Sequence, residues 1–215
     1  MVWNQKVSPK TIARLSLYRR LLINSVEQAD RIYSHELARR AGVSAAQVRR
    51  DIMSLGYSGT PNTGYEVRAL VDNISDHIDA PQGQQAALIG VGNLGQALLS
   101  YFSSGKGTRL KIIAAFDTAS TKTGGVLYGC RCYRIEEITR IVRQEGITVG
   151  IIAVPAEAAQ ETAYQLVAAG VTGILNFAPT PLKVPPYVYI ENMDIAIALE
   201  TVAFFARQQT DEEGI

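Results

Sequence analysis

Ala86-Ala87-Leu88-Ile89-Gly90-Val91-Gly92-Asn93-Leu94-Gly95 reads as an apolar strand that runs straight into a glycine turn and a helix. A second apolar run, Ile112-Ile113-Ala114-Ala115-Phe116, closes on Asp117, 22 residues after Gly95. Each part of this stretch has a physical task in holding a dinucleotide. Gly90 permits the tight strand-to-helix turn, Gly92 lets backbone approach a pyrophosphate, and Gly95 lets the helix press onto the strand, while the helix N-terminus offers N–H groups and a positive dipole end to the anion. Val91, Asn93 and Leu94 lie between these glycines. Asp117 is placed to hold a ribose diol. An acid there repels a ribose 2′-phosphate, and Thr118-Ala119-Ser120-Thr121 supplies no arginine to receive one, so NADH/NAD+ is expected over its phosphorylated relative.

Downstream, apolar and amphipathic segments alternate. The pattern predicts strands at 86–90, 110–117, 147–154 and 172–177 and a short one near 187–190, with helices at 93–103, 135–145 and 156–169. Such alternation gives a parallel sheet covered by helices, whose ligands lie beyond the carboxyl ends of the strands. Val154-Pro155 and Asn176-Phe177 are therefore expected to border the cleft of the glycine turn. Ordinary strand-to-helix turn chemistry is the competing reading for each of these four residues.

A nucleotide fold does not need the roughly 80 residues that precede the glycine turn. The 215-residue chain has a formal net charge of +1, which conceals an asymmetry. Residues 1–60 carry ten Lys/Arg against four Asp/Glu, residues 61–80 one against four, and the remainder ten against twelve. Positive charge concentrated in one segment fits a polyanionic partner. Ser8-Pro9 caps a first amphipathic helix along Ile12, Leu15, Tyr18, Leu22 and Val26. Ser34 is expected to cap a second helix that Gly42 ends, and Ser44-Ala45-Ala46-Gln47 forms a capping box for a third running through Leu55. Two helices joined by a short glycine turn make a helix-turn-helix. With Val48, Ile52 and Leu55 as the buried stripe, Ala45, Gln47, Arg49 and Arg50 fall on or near the outward side. Arginine bridges two acceptors on guanine and glutamine pairs with adenine, while Ser44 and the helix N-terminus suit a phosphate. Gly56 to Val67, with Gly59, Pro61-Asn62 and Gly64, predicts a hairpin wing. A helical dimerisation domain with solvated arginines is the alternative.

No apolar stretch of 18 residues spans a membrane and the N-terminus lacks a signal-peptide core, which points to a cytoplasmic protein that engages no membrane. Cys130 and Cys132 are expected to be reduced structural thiols, and with histidine only at His35 and His77 no metal site is expected. The segment from Met193 through Gln208 predicts a helix apolar on more than one face, to be covered by its own sheet or by a second subunit.

Ala46-Gln47-Val48-Arg49-Arg50-Asp51, Gly90-Val91-Gly92-Asn93-Leu94-Gly95-Gln96-Ala97-Leu98, Ile151-Ile152-Ala153-Val154-Pro155-Ala156, Gly173-Ile174-Leu175-Asn176-Phe177-Ala178-Pro179 and Glu191-Asn192-Met193-Asp194 occur in this order, and together they resemble the Rex redox-sensing transcriptional repressors. The resemblance covers nearly the whole chain. It implies an α/β homodimer with an N-terminal winged helix-turn-helix domain, a C-terminal Rossmann-like parallel-sheet domain for NAD(H), and a domain-swapped C-terminal helix. It places the divisions at residues 1–80, 81–191 and 192–215. NADH is expected to release the dimer from inverted-repeat operator DNA, whereas NAD+ leaves it bound. The resemblance also implies a switch network of Arg20, Tyr101 and Asp194, the last from the partner subunit. The sequence departs from the family at Pro61, where the wing usually carries a basic residue, at Ile52-Met53-Ser54-Leu55-Gly56, where an aromatic pair is usual, and at Ile195, where some members have phenylalanine. A catalytic role is not expected. The rival readings are an NAD-dependent oxidoreductase, with Lys122 and Tyr128 the candidate acid/base groups near the cleft, and a DNA-bound sensor of another nucleotide such as coenzyme A.

Overall fold

The computed structural model describes residues 7–24, 30–57, 59, 63–103 and 109–213, with side chains described to residue 208. It divides into two compact units, the first made of residues 1–83 with 105–109 and the second of residues 84–104 and 110–215.

The first unit is helical. α1 (Pro9–Ile23) starts where Ser8 accepts the N–H of Thr11 and proline occupies the first helical position. β1 (Arg31–Ile32) leads into α2 (Ser34–Ala41), which Gly42 ends in the left-handed region. α3 (Ala45–Met53) follows after Val43 and Ser44, then β2 (Tyr65–Glu66) and α4 (Val67–Ile78). Leu15, Tyr18 and Leu22 of α1, Leu37 of α2, Val48 and Ile52 of α3, and Leu70 and Ile74 of α4 close one core. Each fully buried aliphatic side chain contributes about 1.5–3 kcal/mol over its exposed state.

Three expectations shift here. Tyr33, not Ser34, is the residue before α2, and its N–H is taken by the Glu36 carboxylate at 2.9 Å. α3 ends at Met53 because the chain tightens, Leu55 donating to Ile52 and Gly56 to Met53, with Gly56 at φ +72°. The strand expected to close a wing hairpin pairs antiparallel with β1, Ile32 opposite Tyr65. Ser58 and Thr60-Pro61-Asn62 of the expected wing, and Val26 of the expected first helix, lie outside the described residues.

The second unit is a seven-stranded sheet in the order β5-β6-β4-β3-β7-β8-β9. Its strands are β3 (Gln84–Ile89), β4 (Leu110–Asp117), β5 (Val126–Leu127), β6 (Cys130–Arg134), β7 (Val149–Ile152), β8 (Gly173–Asn176) and β9 (Tyr189–Asn192), parallel throughout except β5. α5 (Asn93–Ser103), α6 (Ile138–Gln144) and α7 (Ala156–Ala169) cover it. Successive residues face opposite sides of a strand. Ala87, Ile89, Ala114, Phe116 and Ile152 accordingly pack beside Ile138, Ile141 and Leu166 of α6 and α7, while Leu88, Ala115, Cys130, Cys132 and Ile151 pack beside Leu99 of α5. A sheet buried on both faces explains why its strands read as unbroken apolar runs. Residues 135–137 form a 3-10 turn before α6 in place of its expected first turn. The stretch between residues 117 and 135, where the pattern predicts neither strand nor helix, contains the β5–β6 hairpin, turned at Tyr128 (φ +51°) and Gly129 (φ +80°).

α8 (Ile195–Glu213) is the last helix, starting two residues later and running five residues further than its apolar pattern predicts. Every residue from Ile195 to Gln208 is exposed, including Leu199, Val202, Phe204 and Phe205. Among the described residues no helix is long and apolar enough to cross a membrane.

Candidate functional sites

β3 is the point at which the sheet changes direction: its sequence successor β4 lies on one side and β7 on the other. A cleft therefore opens at the carboxyl ends of β3 and β7. The glycine turn sits there, and each glycine is there for a different reason. Gly90 has φ +94°, and a Cβ on it would lie 2.3 Å from the carbonyl oxygen of Ala153, directly before Val154. A Cβ on Gly95 would lie 2.0 Å from the carbonyl oxygen of Gly90, so the helix is pressed against the end of its own strand. Gly92 faces open space, with nothing within 4 Å of a Cβ, and is exposed with Asn93 at the start of α5. That room is what a pyrophosphate needs, and the first turn of α5 holds no acid to repel it.

The structure brings Asp117 to this turn by hydrogen bonding. One carboxylate oxygen accepts the N–H of Val91 at 2.8 Å, and the other accepts the N–H of Ala119 at 2.8 Å. Lys122 adds its ammonium at 3.3 Å. Burial alone pushes the Asp117 carboxyl upward, but the two backbone N–H groups and Lys122 outweigh it and hold it below its usual range. The sequence marks Lys122 only as a candidate acid/base group, and nothing in the stretch between β4 and β5 signals that its ammonium returns to Asp117.

The loops after β7 and β8 border the same end of the sheet. Ala153 donates to the carbonyl of Ile89, and the Val154 side chain lies 3.0 Å from a Cβ built on Gly90. Pro155 is exposed and precedes α7. Phe177 donates its N–H to Ile152 and is half-buried. Asn176 is 1% exposed; its amide donates to the carbonyl of Thr180 and to the side chain of Asn192 and accepts from the N–H of Ala178. That side chain shapes the loop after β8, the turn chemistry weighed against a contact.

In the first unit, α3 is exposed at Ser44, Ala46, Arg49 and Arg50. Ser44 caps the helix by accepting the N–H of Gln47 at 3.1 Å. Ala45 is half-buried against the core. Arg49 donates to the hydroxyl of Ser34 at 3.1 Å, which fixes α3 to the start of α2. Sequence reading missed the residue behind this face. Asp51 is 3% exposed and receives two bonds from the Arg14 guanidinium at 2.6 and 2.7 Å, one from the Tyr18 hydroxyl at 2.9 Å, and one from the Gln47 amide at 2.8 Å. Burial raises its pKa, yet the bonds from Arg14, Gln47 and Tyr18 together carry it below the ordinary value. Arg14 is raised by the same pairing, and burial followed by the bond to Asp51 pushes the Tyr18 phenol up. An acid set between Val48 and Ile52 in an otherwise apolar stripe was the available signal, since a buried carboxylate demands a partner.

Arg20 is exposed on α1, one residue after the buried Arg19, which pairs with Asp79 at 2.8 Å. Tyr101 is exposed on α5 with its ring edge-on to Phe102. Asp194 caps α8, accepting the N–H groups of Ala196 and Ile197 at 2.9 and 3.1 Å. Cys130 and Cys132 are free, buried thiols on the α5 side of β6, and among the described residues no cluster of three His, Cys, Asp or Glu could hold a metal.

Two family models match, one described as a putative DNA-binding protein N-terminus over residues 6–52 and one as a CoA binding domain over residues 82–180. The chain is 40% identical over 206 residues to the redox-sensing transcriptional repressor Rex of Streptomyces coelicolor, covering 95% of this chain and 79% of that one. It is 38% identical to the Rex of Carboxydothermus hydrogenoformans, covering 94% of this chain and 98% of that one. Among solved structures it is similar to RSP, a Rex-family repressor. The complex of RSP with NAD+ and operator DNA superposes with a TM-score of 0.85 at 33% identity, covering 96% of this chain and 94% of that one. The complex of RSP with NADH gives 0.81 at 33% identity, covering 96% of each chain.

Proposed function

This chain belongs to the Rex family of redox-sensing transcriptional repressors, and on that premise we propose that it binds inverted-repeat operator DNA as a homodimer and is released by NADH, so that transcription follows the NADH/NAD+ ratio. The observation that carries the reading is the fastened cradle of Gly90, Gly92, Gly95 and Asp117, in the same chain as a basic helix-turn-helix. Residues 1–80 serve DNA, 81–191 the dinucleotide, and 192–215 dimerisation, with α8 swapped onto the partner.

Gly90, Val91, Gly92, Asn93, Leu94 and Gly95 hold the pyrophosphate and Asp117 the ribose diol, with the loops at Val154-Pro155 and Asn176-Phe177 as the far wall. The reduced and oxidised cofactors differ by a hydride and one positive charge, the only redox chemistry the sensor needs. An apolar pocket disfavours that charge. A near-complete switch between a DNA-competent and a closed dimer requires about 5.5 kcal/mol of differential affinity. Arg20, Tyr101 and the partner subunit's Asp194 are the polar groups through which the closed arrangement is held. Ser44, Gln47, Arg49 and Arg50, with Ala45 behind them, form the face turned to operator DNA.

The relatives are named as repressors, and this chain is read as a binding sensor that turns over no substrate. The only histidines, His35 and His77, both precede the dinucleotide fold. Absence of histidine does not forbid a Lys122 or Tyr128 acid/base, so the test includes cofactor consumption. Coenzyme A in this cleft would set a ribose phosphate against Asp117, which disfavours it. The deciding measurement is binding to a fluorescent inverted-repeat duplex at fixed salt, titrated separately with NADH, NAD+ and coenzyme A. Release by NADH alone, with no consumption of it, is expected; coupling is reciprocal, so the duplex must weaken NADH binding by the same factor. Equal NADH affinity with and without duplex sinks the switch.

A further inference from the structure

Gln47 and Arg50 both lie on the DNA face of α3, but their side chains are already engaged with one another. The Gln47 amide nitrogen donates to Asp51 Oδ1 at 2.8 Å, and its oxygen accepts from Arg50 Nη2 at 2.8 Å. Asp51 in turn is held by Arg14 and Tyr18 of α1, at 2.6 to 2.9 Å. The result is one continuous chain of bonds, from α1 through a buried carboxylate and a glutamine to an exposed guanidinium.

We propose, resting on the operator-binding reading above, that Gln47 reads no base itself but is the positioning residue for Arg50, which alone of the two contacts a guanine. Bidentate recognition of adenine uses the N–H and the carbonyl oxygen of a glutamine together. Here one amide N–H donates to Asp51 and the oxygen accepts from Arg50, so turning the glutamine edge to adenine competes with the two bonds that orient it, one of them to a buried charged acceptor. Arg50 has the opposite balance. A guanidinium carries five N–H donors in a rigid fork, and one bond to Gln47 leaves an edge for the O6 and N7 of guanine. A long flexible side chain loses rotamer freedom when it docks, and a bond that already fixes its plane reduces that loss. Arg49 is engaged elsewhere, its guanidinium donating to the Ser34 hydroxyl at the start of α2 rather than to Gln47.

The test is selection of bound duplexes from a randomised inverted-repeat library by the full-length dimer, comparing wild type with Gln47→Leu, Arg50→Ala and the double variant. Wild type is expected to yield a motif with a guanine that Arg50→Ala loses. Gln47→Leu is expected to weaken preference at that same base pair by roughly tenfold, and the double variant to be no worse there than Arg50→Ala alone. Comparing each variant well below its own melting midpoint keeps a general loss of helix stability from being read as lost positioning, and the double variant then shows whether Gln47 acts through Arg50. Loss of preference at a different base pair in Gln47→Leu makes glutamine a direct reader and overturns the proposal, as does an unchanged motif. A wild-type dimer that selects no motif overturns the repressor reading itself, and this inference with it.

Discussion

The backbone N–H of Val91 donates to the carboxylate of Asp117 across 2.8 Å, so the last residue of β4 fastens the glycine turn that follows β3. The second carboxylate oxygen holds Ala119, and Lys122 closes the site at 3.3 Å. Asp117 therefore acts twice, as the support of the turn and as the proposed holder of the ribose. Asp117→Ala leaves two backbone donors without their charged acceptor and is expected to cost about 1.5–3 kcal/mol of stability. It should also raise the Kd for NADH at least about tenfold, while narrowing the preference over NADPH because Lys122 is then unpaired. Thermal melts and fluorescence titrations read the two effects separately; unchanged NADH affinity removes Asp117 from the site.

Gly92→Ala and Gly95→Ala add the same methyl group, and both are expected to weaken nucleotide binding, but only the second is expected to cost stability. At Gly95 the new methyl lands 2.0 Å from the Gly90 carbonyl oxygen, so α5 must lift from the strand and both folding stability and nucleotide binding fall. At Gly92 nothing lies within 4 Å, so the melting temperature should hold while NADH affinity drops, because the methyl occupies the room meant for phosphate. An alanine at 92 that binds NADH normally places the pyrophosphate elsewhere.

Asp51 and Asp117 both have carboxyl groups held below their usual range, burial being outweighed by hydrogen bonds from Arg14, Gln47 and Tyr18 in the one and from Ala119, Val91 and Lys122 in the other. A depressed folded-state pKa contributes stability that is fully present above the unfolded-state value, near 3.8, and is lost as pH falls through the lower folded-state value. Both groups should thus stabilise the protein at neutral pH and make acid unfolding steep below about pH 4. Asp51→Ala is expected to cost about 3 kcal/mol at pH 7, since it strands Arg14 and the Tyr18 hydroxyl. That deficit should shrink in melts run at decreasing pH, and a deficit independent of pH assigns the loss to packing instead.

The thiols give a negative expectation. Burial, reinforced by the neighbouring Cys132, pushes Cys130 up to about 11, and burial followed by the nearby Asp117 raises Cys132 as well. A thiol is attacked as its thiolate, so both should resist iodoacetamide and peroxide at neutral pH in the folded protein. Alkylation followed by intact mass measurement checks this, and fast modification of either cysteine gives the protein a second, direct oxidant response.

How much was legible in advance follows from the range of each interaction. The glycine turn after β3 and the place of Asp117 at the end of β4 were readable because their requirements are local: a strand, three glycines at fixed offsets, and an acid at the end of the next strand. The α2-turn-α3 unit was readable for the same reason, Gly42 and Ser44 being caps. The pairing of β2 with β1 was not, because it joins residues more than 30 positions apart through two-residue strands with no alternation to detect. Asp51 was visible as an acid in an apolar stripe, but its partners Arg14 and Tyr18 belong to a different helix. Lys122 was visible only as a charge, since an irregular loop decides where its ammonium goes.

α8 supplies the last prediction. From Ile195 to Gln208 it is exposed on all sides, with Leu199 and Val202 each 65% exposed and Phe205 59%. Side chains of this size gain about 1.5–3 kcal/mol each when buried, and a helix apolar around its circumference needs cover on more than one side. The proposed homodimer provides it, because a two-fold assembly buries the same helix twice. Leu199→Asp with Phe205→Asp is therefore expected to shift the protein from dimer to monomer in sedimentation equilibrium at micromolar concentration, with the dinucleotide unit still folded. Operator affinity should then fall far more than NADH affinity, since a single helix-turn-helix reads one half-site where the dimer reads two. A doubly substituted protein that remains a dimer assigns the interface to another surface and leaves α8 without the partner proposed for it.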